Sequence, residues 1–528
     1  MSRRKWWDNA IVYHVVTDRF LQGGIRYPLY GRGFDSKNKG GFHGGDFLGI
    51  TKKILDGWFC SLGVNCIWIS SPFEQIHGWV PSEDGCYRHH PYHGYWPHDF
   101  TTVEPSFGSI EEFRQLVDSA HDRGIRIVLD VGMSHVGYLD YKKYGSSPVT
   151  EADSKDDSDY FSANNCLSAV QGNSDFAWNS DWVISDLPGY KKSSSTLFDG
   201  QLHGLPRLRL DNQEKVTPPE FLLNTPGIQL QNFAESTVSN YLINWLTQWV
   251  AEFGIDGFRC DSAKHVGLHY WNLLKVSSSN ALKSWKFANP KKAIDQSCFW
   301  MVGEVYGHGI DESEYFDYGF DSLLNFDFQT DLLKILLHFS PFHFYSQELF
   351  EFRLDRIFLR YSEKLLSGHH DFMSYISSHD TWIFNRQYNY LAAAALLLLP
   401  GSIQILYGDE SGRDDADDTC SDMNWENIDN VTLRTWRKLG KFRARHLSIA
   451  RGTHVLRSQA PYAFSRENLD TGDRVLVIFG RGESSMISVG CLWRDGTILK
   501  NYLSSEDYKV QDGCVHVTGS GLILLETK

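Results

Sequence analysis

Short apolar runs recur along the first 446 residues, each closed by a glycine or a polar cluster and followed by a stretch of helical period. They lie at 10–16, 64–70, 125–131, 255–260, 299–302, 321–326, 373–377 and 402–407. Each is too short for a helix and nearly continuous in apolar residues, as expected of a strand buried on both faces. The intervening stretches carry their apolar residues at helical spacing. Phe113, Leu116, Val117 and Ala120 share one face of 110–123, and Trp245 and Trp249 share one face of 242–253. Further helices are predicted at 54–62, 270–288 and 391–400, the last stopped by Pro400 and Gly401, while 41–49 reads as a glycine-rich loop. Strands alternating with helices make a parallel sheet covered on both sides. Eight such units predict an α/β fold closed as a (β/α)8 TIM barrel, with its chemistry where strands hand over to loops.

Two segments break the pattern. Residues 136–235 are polar and too long for a simple loop, and are expected to form a subdomain inserted after strand three. From 447 to 528, short alternating strands are separated by turn signals such as Asp495-Gly496 and Asp512-Gly513. This predicts a C-terminal antiparallel, β-sandwich-like domain, leaving 1–135 and 236–446 to the barrel.

Composition narrows the function. A net charge of −14 argues against a non-specific partner of nucleic acid or of an anionic membrane. The longest apolar run is too short to span a bilayer. Nine scattered cysteines, with no CxxC pair, favour free thiols in a reducing compartment. The N-terminal stretch is basic, but its apolar run is interrupted by Asp8 and His14, unlike a secretory signal. A cytoplasmic monomer is therefore expected, with a periplasmic or secreted protein as the alternative if a signal was removed. Aromatic residues make up 14% of the chain; most must fill the core, yet such rings also suit a sugar cleft.

The residues at the strand ends carry the chemistry. Arg259 and Asp261 share a strand face, and a guanidinium beside a carboxylate lowers its pKa, as a carboxylate nucleophile needs. A buried structural ion pair would look the same. Strand three supplies Asp130 and His135, strand four Lys264 and His265, strand five Glu304, strand seven His379 and Asp380, and strand eight Asp409 and Glu410, which read as loop-fixing. Asp261, Glu304 and Asp380 could converge over the barrel mouth and push one another's pKa values apart, giving one ionised nucleophile and one protonated acid, as glycoside hydrolysis by retention requires. His77, His89, His90, His93 and His98 cluster in sequence but lack metal-ligand spacing.

The segments DVGMSH (130–135), GFRCDSAKH (257–265), GEVY (303–306) and SSHD (377–380), with YHGYWPHDF (92–100) upstream, stand in the order of the short motifs of glycoside hydrolase family 13. The sequence resembles an α-amylase of that family over nearly all of 7–446, most of all the periplasmic α-amylases of Gram-negative bacteria. The resemblance implies a hydrolase of α-1,4-glucans such as starch and maltodextrins. Asp261 would be the nucleophile, Glu304 the acid–base and Asp380 the transition-state stabiliser. Arg259 would hold Asp261 ionised, and Asp130 would orient Arg259. Tyr95, His93, His135 and His379 would enclose the reacting glucose, with Lys264 and His265 on the leaving-group side. Ser262 after the nucleophile disfavours an α-1,6 reading. Transglycosylation on the same scaffold, an α-glucosidase or cyclodextrin hydrolase, and a non-catalytic glucan-binding protein are the alternatives.

The sequence departs from the family at its calcium site. Ser134 stands where the family has Asn, and Arg207, after Leu205-Pro206, stands where it has Asp. A cation there opposes calcium, which prefers anionic oxygen ligands. No cofactor is therefore expected, with the Arg207 side chain taking the metal's place and pinning the inserted subdomain to the barrel. Residual calcium could bind loosely at the acidic runs 153–159 and 414–418.

Overall fold

A computed structural model describes residues 5–24, 34–82, 87–138, 178–185, 191–193, 197–219, 221–222, 236–337, 344–368, 370–413 and 418–528. Eight parallel strands close into a barrel: β1 (Ile11–Val15), β2 (Cys66–Ile69), β3 (Arg126–Gly132), β4 (Gly257–Asp261), β5 (Trp300–Gly303), β6 (Ser322–Asn325), β7 (Asp371–Ser374) and β8 (Ser402–Leu406), which pairs back onto β1. Each strand pairs with its neighbours in sequence. The register sets Arg259 directly beside Asp130 on β3, which places cation and anion next to each other before any loop is built.

The barrel is a packed core. Val12, Trp68, Val128, Trp300, Val302 and Met373 fill its interior, and Trp7 closes the lower end, stacked on Trp300 at 6.3 Å. The outer faces of the strands pack on helices α1 (Phe47–Leu55), α2 (Ile110–His121), α3 (Val238–Phe253), α4 (Leu268–Ala288), α5 (Phe326–Leu337), α6 (Phe344–Ser367), α7 (Asn389–Leu397) and α8 (Asn430–Arg445). Local chemistry fixes their ends. The Ser109 hydroxyl and the Glu112 carboxylate cap α2 reciprocally. Gly254 ends α3 in the left-handed region at φ +75°, where any Cβ would lie 2.5 Å from the Trp285 ring.

Most boundaries shift by a few residues from the sequence reading, and three of the shifts have a visible cause. The predicted helix at 54–62 starts instead at Phe47, inside the expected glycine-rich loop, because the Asp46 carboxylate caps the Gly49 amide at 2.7 Å. It breaks at Gly57 (φ +80°) before a separate turn, Trp58–Ser61. Strand β7 begins at Asp371 rather than Met373. A carboxylate can enter the sheet there because Ser322 and Ser402 donate to it and Arg451 lies 3.0 Å away.

The segment expected as the inserted subdomain contributes two small antiparallel pairs among the described residues: Val183–Ile184 with Arg207–Leu208, and Lys191–Lys192 with Phe198–Asp199. The acidic run at 153–159 and most of that at 414–418 lie outside the described residues. After α8 the chain forms one eight-stranded antiparallel sheet: β9 (Thr453–Gln459), β10 (Tyr462–Asn468), β11 (Asp473–Arg481), β12 (Ser485–Ser488), β13 (Ile498–Asn501), β14 (Asp507–Gln511), β15 (Cys514–Val517) and β16 (Ser520–Thr527). Edge strands β9 and β12 curl towards each other, and Arg457 donates to the Cys491 sulfur at 2.9 Å. Ile478, Ile487, Leu499, Val515 and Ile523 pack in a separate core of this domain.

Candidate active site

Arg259 is the hub of the barrel mouth. It is fully buried, and its guanidinium reaches four carboxylates. Nη1 donates to Asp130 at 2.8 and 3.0 Å and to Asp261 at 2.8 Å; Nη2 lies 3.0 Å from Glu304 and 3.8 Å from Asp380. The three carboxylates predicted to converge therefore do so, each from a different strand end. One cation cannot neutralise four anions in a buried site, so the least stabilised carboxyl keeps its proton. Burial pushes Glu304 up to about 8, against the pull of Arg259, and the neighbouring charges of Asp261 and Asp380 add to the rise. Burial also opposes ionisation of Asp261, but Arg259, His135 and the Ser262 hydrogen bond outweigh it, and the carboxyl falls below its usual range.

The turn after β4 sets the distance between these two carboxyls. Ser262 takes a left-handed φ of +48°, a costly conformation for a residue with a Cβ. That twist aims its amide at Glu304 Oε2, 2.9 Å away, while the Ala263 amide bonds the Glu304 carbonyl at 3.0 Å. Only glycine fits just before Glu304, since a Cβ on Gly303 would lie 2.7 Å from the Phe320 ring. Asp380 is the most open of the three, with 41% of its side chain exposed.

The residues expected to enclose the sugar divide into two kinds. The Tyr95 hydroxyl donates to Asp130 at 2.8 Å and lies 2.7 Å from His379 Nε2, so its polar end is anchored to the hub. The rings of His93, Tyr95 and His379 stand near-parallel, with centroids 5.6 and 5.7 Å apart, as one wall. His379 Nε2 is also 3.0 Å from Asp380, and burial lowers the pKa of the imidazole. His93 uses Nδ1 to accept the Tyr95 amide at 2.9 Å. His135 is held from two sides: its Nε2 donates to the Tyr95 carbonyl at 2.9 Å and its Nδ1 accepts from Ser134 at 2.7 Å. It positions Tyr95 and lowers the Asp261 pKa from beneath.

On the side expected to face the leaving group, Lys264 donates to the Tyr306 carbonyl at 2.7 Å and sits 5.0 Å over the Phe198 ring, with His265 against the same ring. Burial, and then the charge of His135, lowers His265 to about 4, so it is neutral at ordinary pH. Tyr306, 63% exposed, stands beside them on Phe326. Sequence reasoning passed over Tyr306 and Phe198, although Tyr306 ends the GEVY segment. It also missed Trp68, which donates to Asp130 at 3.1 Å and presents its face to Arg259 at 5.0 Å, and His14, stacked on Trp68 at 3.8 Å. Nothing distinguished either from ordinary strand residues. Asp409 and Glu410 are loop-fixing as expected: Asp409 pairs with Arg386, and Glu410 accepts from the Tyr13 hydroxyl.

Comparison with known proteins agrees with this geometry. The family described as alpha amylase, catalytic domain, matches residues 28–443. The chain belongs to the alpha-amylase family. It is a glycoside hydrolase, 38% identical to the periplasmic alpha-amylase of Escherichia coli (strain K12) over 90% of this chain and 72% of that protein. It is also 29% identical to an alpha-amylase of Niallia circulans and 25% identical to a cyclomaltodextrin glucanotransferase of Bacillus sp. (strain 17-1), of which it spans 44% and 56%. The crystal structure of an Anoxybacillus alpha-amylase shares the fold over 99% of both chains, with a TM-score of 0.66 at 23% identity.

Arg207 departs from expectation. Its side chain pairs with Asp199 at 2.7 Å, within the inserted segment. The link to the barrel is made by backbone instead: Leu208 donates to the Ser134 carbonyl and Val136 to the Pro206 carbonyl, at 3.0 and 3.1 Å. The Ser134 hydroxyl is occupied by His135. A guanidinium and an engaged hydroxyl do not make a calcium donor set. Among the described residues no cluster of metal-ligating side chains occurs, and no helix is long and apolar enough to cross a membrane.

Proposed function

We propose that the enzyme hydrolyses α-1,4-glucosidic bonds of starch-like glucans with retention, through a covalent glucosyl-enzyme on Asp261. The observation that carries this is one guanidinium shared by two carboxyls, Nη1 2.8 Å from Asp261 and Nη2 3.0 Å from Glu304, in surroundings that hold Asp261 below its usual range and raise Glu304 to about 8. Asp261 attacks the anomeric carbon while Glu304 gives its proton to the leaving oxygen; Glu304 then activates the water that releases the sugar. Asp380, with His379, binds ring hydroxyls as the sugar flattens. Proton NMR of maltoheptaose cleavage tests it. The α-anomer should appear first, and initial β-anomer would refute retention.

A second reading, glucosyl transfer to another sugar, is favoured by one feature: Tyr306, 63% exposed beside Lys264, offers an acceptor ring a stacking face. Products longer than the substrate at high maltoheptaose concentration would identify it.

We further propose that no calcium is required, on the pairing of Arg207 with Asp199; loss of activity in chelator, restored by calcium, would contradict this. The seven described cysteines are free thiols, which supports a reducing compartment, whereas the E. coli relative is named periplasmic. Cell fractionation separates the two.

A further inference from the structure

Between the barrel and the C-terminal sheet lies a cavity of about 410 Å³, away from the catalytic hub. Gln347 and Glu351 of α6, Gln387, Tyr388 and Tyr390 at the start of α7, and Phe479 of β11 line it. A second cavity of about 140 Å³ meets it at Gln387 and Tyr388 and extends to Trp382, two residues beyond Asp380. The two together run from the catalytic loop to the domain boundary.

We propose that this trough is a second binding site for a segment of α-1,4-glucan, the same polymer that enters the active site. The inference rests on the glucan reading above. Its size falls within the ~300–1,000 Å³ of ligand pockets, which favour domain boundaries. Its chemistry is that of a sugar site. Tyr390 and Trp382 are 45% and 37% exposed, and such rings stack on the apolar faces of pyranoses. The Gln387 amide both donates and accepts, as sugar hydroxyls do, whereas Gln347 spends one N–H on Glu351 at 3.0 Å. The trough does not suit an anion: Glu351 lines it, and of the cations beside its lining residues Arg481 is held by Glu351 at 2.6 Å and Glu348 at 3.2 Å, and Arg386 by Asp409 at 2.9 Å. Those ion pairs also make the walls rigid. Arg481 of β11 ties the C-terminal sheet to α6, and the Tyr390 hydroxyl accepts the Leu522 amide of β16 at 3.0 Å. A preformed site loses little entropy on binding.

A long chain held at both places is bound bivalently, whereas maltotriose, confined to the active site, is not. Two variants test the trough: Tyr390→Ala, which removes a stacking face, and Gln387→Ala, which removes an amide and spares the Leu522 contact. In the Asp261→Asn background, calorimetry with maltoheptaose should show two sites, falling to one in either variant. In the otherwise native enzyme, each variant should raise KM for soluble starch about 3- to 10-fold, the worth of one stacked ring or one hydrogen-bonded amide, and leave maltotriose turnover unchanged. A single site in the Asp261→Asn protein that neither variant alters, with starch KM unchanged, would overturn the proposal while the glucan reading stands. No binding of maltoheptaose to the Asp261→Asn protein and no turnover by the native enzyme would overturn both.

Discussion

Replacing Gln329 should damage catalysis from a distance. Gln329 lies on α5, is 3% exposed, and spends its amide on the loop that carries His379 and Asp380. Its Nε2 donates to the Ile376 carbonyl at 3.0 Å and the Trp382 carbonyl at 2.9 Å, and its Oε1 accepts from the Thr381 hydroxyl at 2.8 Å. The loop is thus clasped on both sides of Asp380. Gln329→Leu keeps the approximate volume but strands two carbonyls and a hydroxyl. Each buried group left unsatisfied costs about 1–3 kcal/mol, so the loop relaxes to reach water rather than bear the full sum. A shift of about 1 Å in a catalytic group can cost about 100-fold in rate. If Asp380 acts on the transition state, the loss should fall on kcat, with KM changed less than about threefold. Gln329→Glu supplies a control that a purely structural role would not move. An ionised carboxylate repels the two carbonyls and a protonated one can donate to one of them, so its kcat relative to the native enzyme should recover as pH falls. Kinetics on maltoheptaose between pH 5 and 8 provide the assay. A Gln329→Leu enzyme with native kcat and only a lower melting temperature would refute the reasoning.

Other outcomes follow from the same geometry. Glu304 must be protonated to act and its pKa is raised to about 8, so kcat/KM should fall as pH rises through about 8; Asp380→Asn removes a charge that raises Glu304 and should move that limb to lower pH. Asp261→Asn should abolish turnover of every α-glucan, and retention of full activity would remove Asp261 from the mechanism. Arg443, fully buried, donates to the Leu397, Leu399 and Gly401 carbonyls at the end of α7. Arg443→Met strands three carbonyls at about 1–3 kcal/mol each before relaxation, so it should destabilise the fold by about 3 kcal/mol or more, read by chemical denaturation.

The strands and the carboxylates that meet at Arg259 were legible because both are local. A strand buried on two faces writes itself as an apolar run, and Asp261, Glu304 and Asp380 each sit just past such a run. Polar residues satisfied from far away in sequence were not legible. Asp371 opens β7 only because Ser322, Ser402 and Arg451 meet it. The bond of His135 to the Tyr95 carbonyl joins segments far apart in the chain, and Gln329 looks like any helical glutamine until its three bonds are traced. Trp68 and His14 were hidden differently, as polar partners within a hydrophobic run.

The sharing of Arg259 has a consequence for the whole catalytic cycle. In the proposed first step, Asp261 becomes an ester and loses its negative charge just as Glu304 gives up its proton and gains one. Both changes occur on the same guanidinium. The total charge around the buried cation is therefore the same before and after the bond is broken, and only its location moves from one nitrogen of the fork to the other. The surroundings need not rearrange to follow the reaction, which is what a preorganised site requires. The second step runs the transfer backwards, so each turnover returns the site to its starting charge without help from solvent ions.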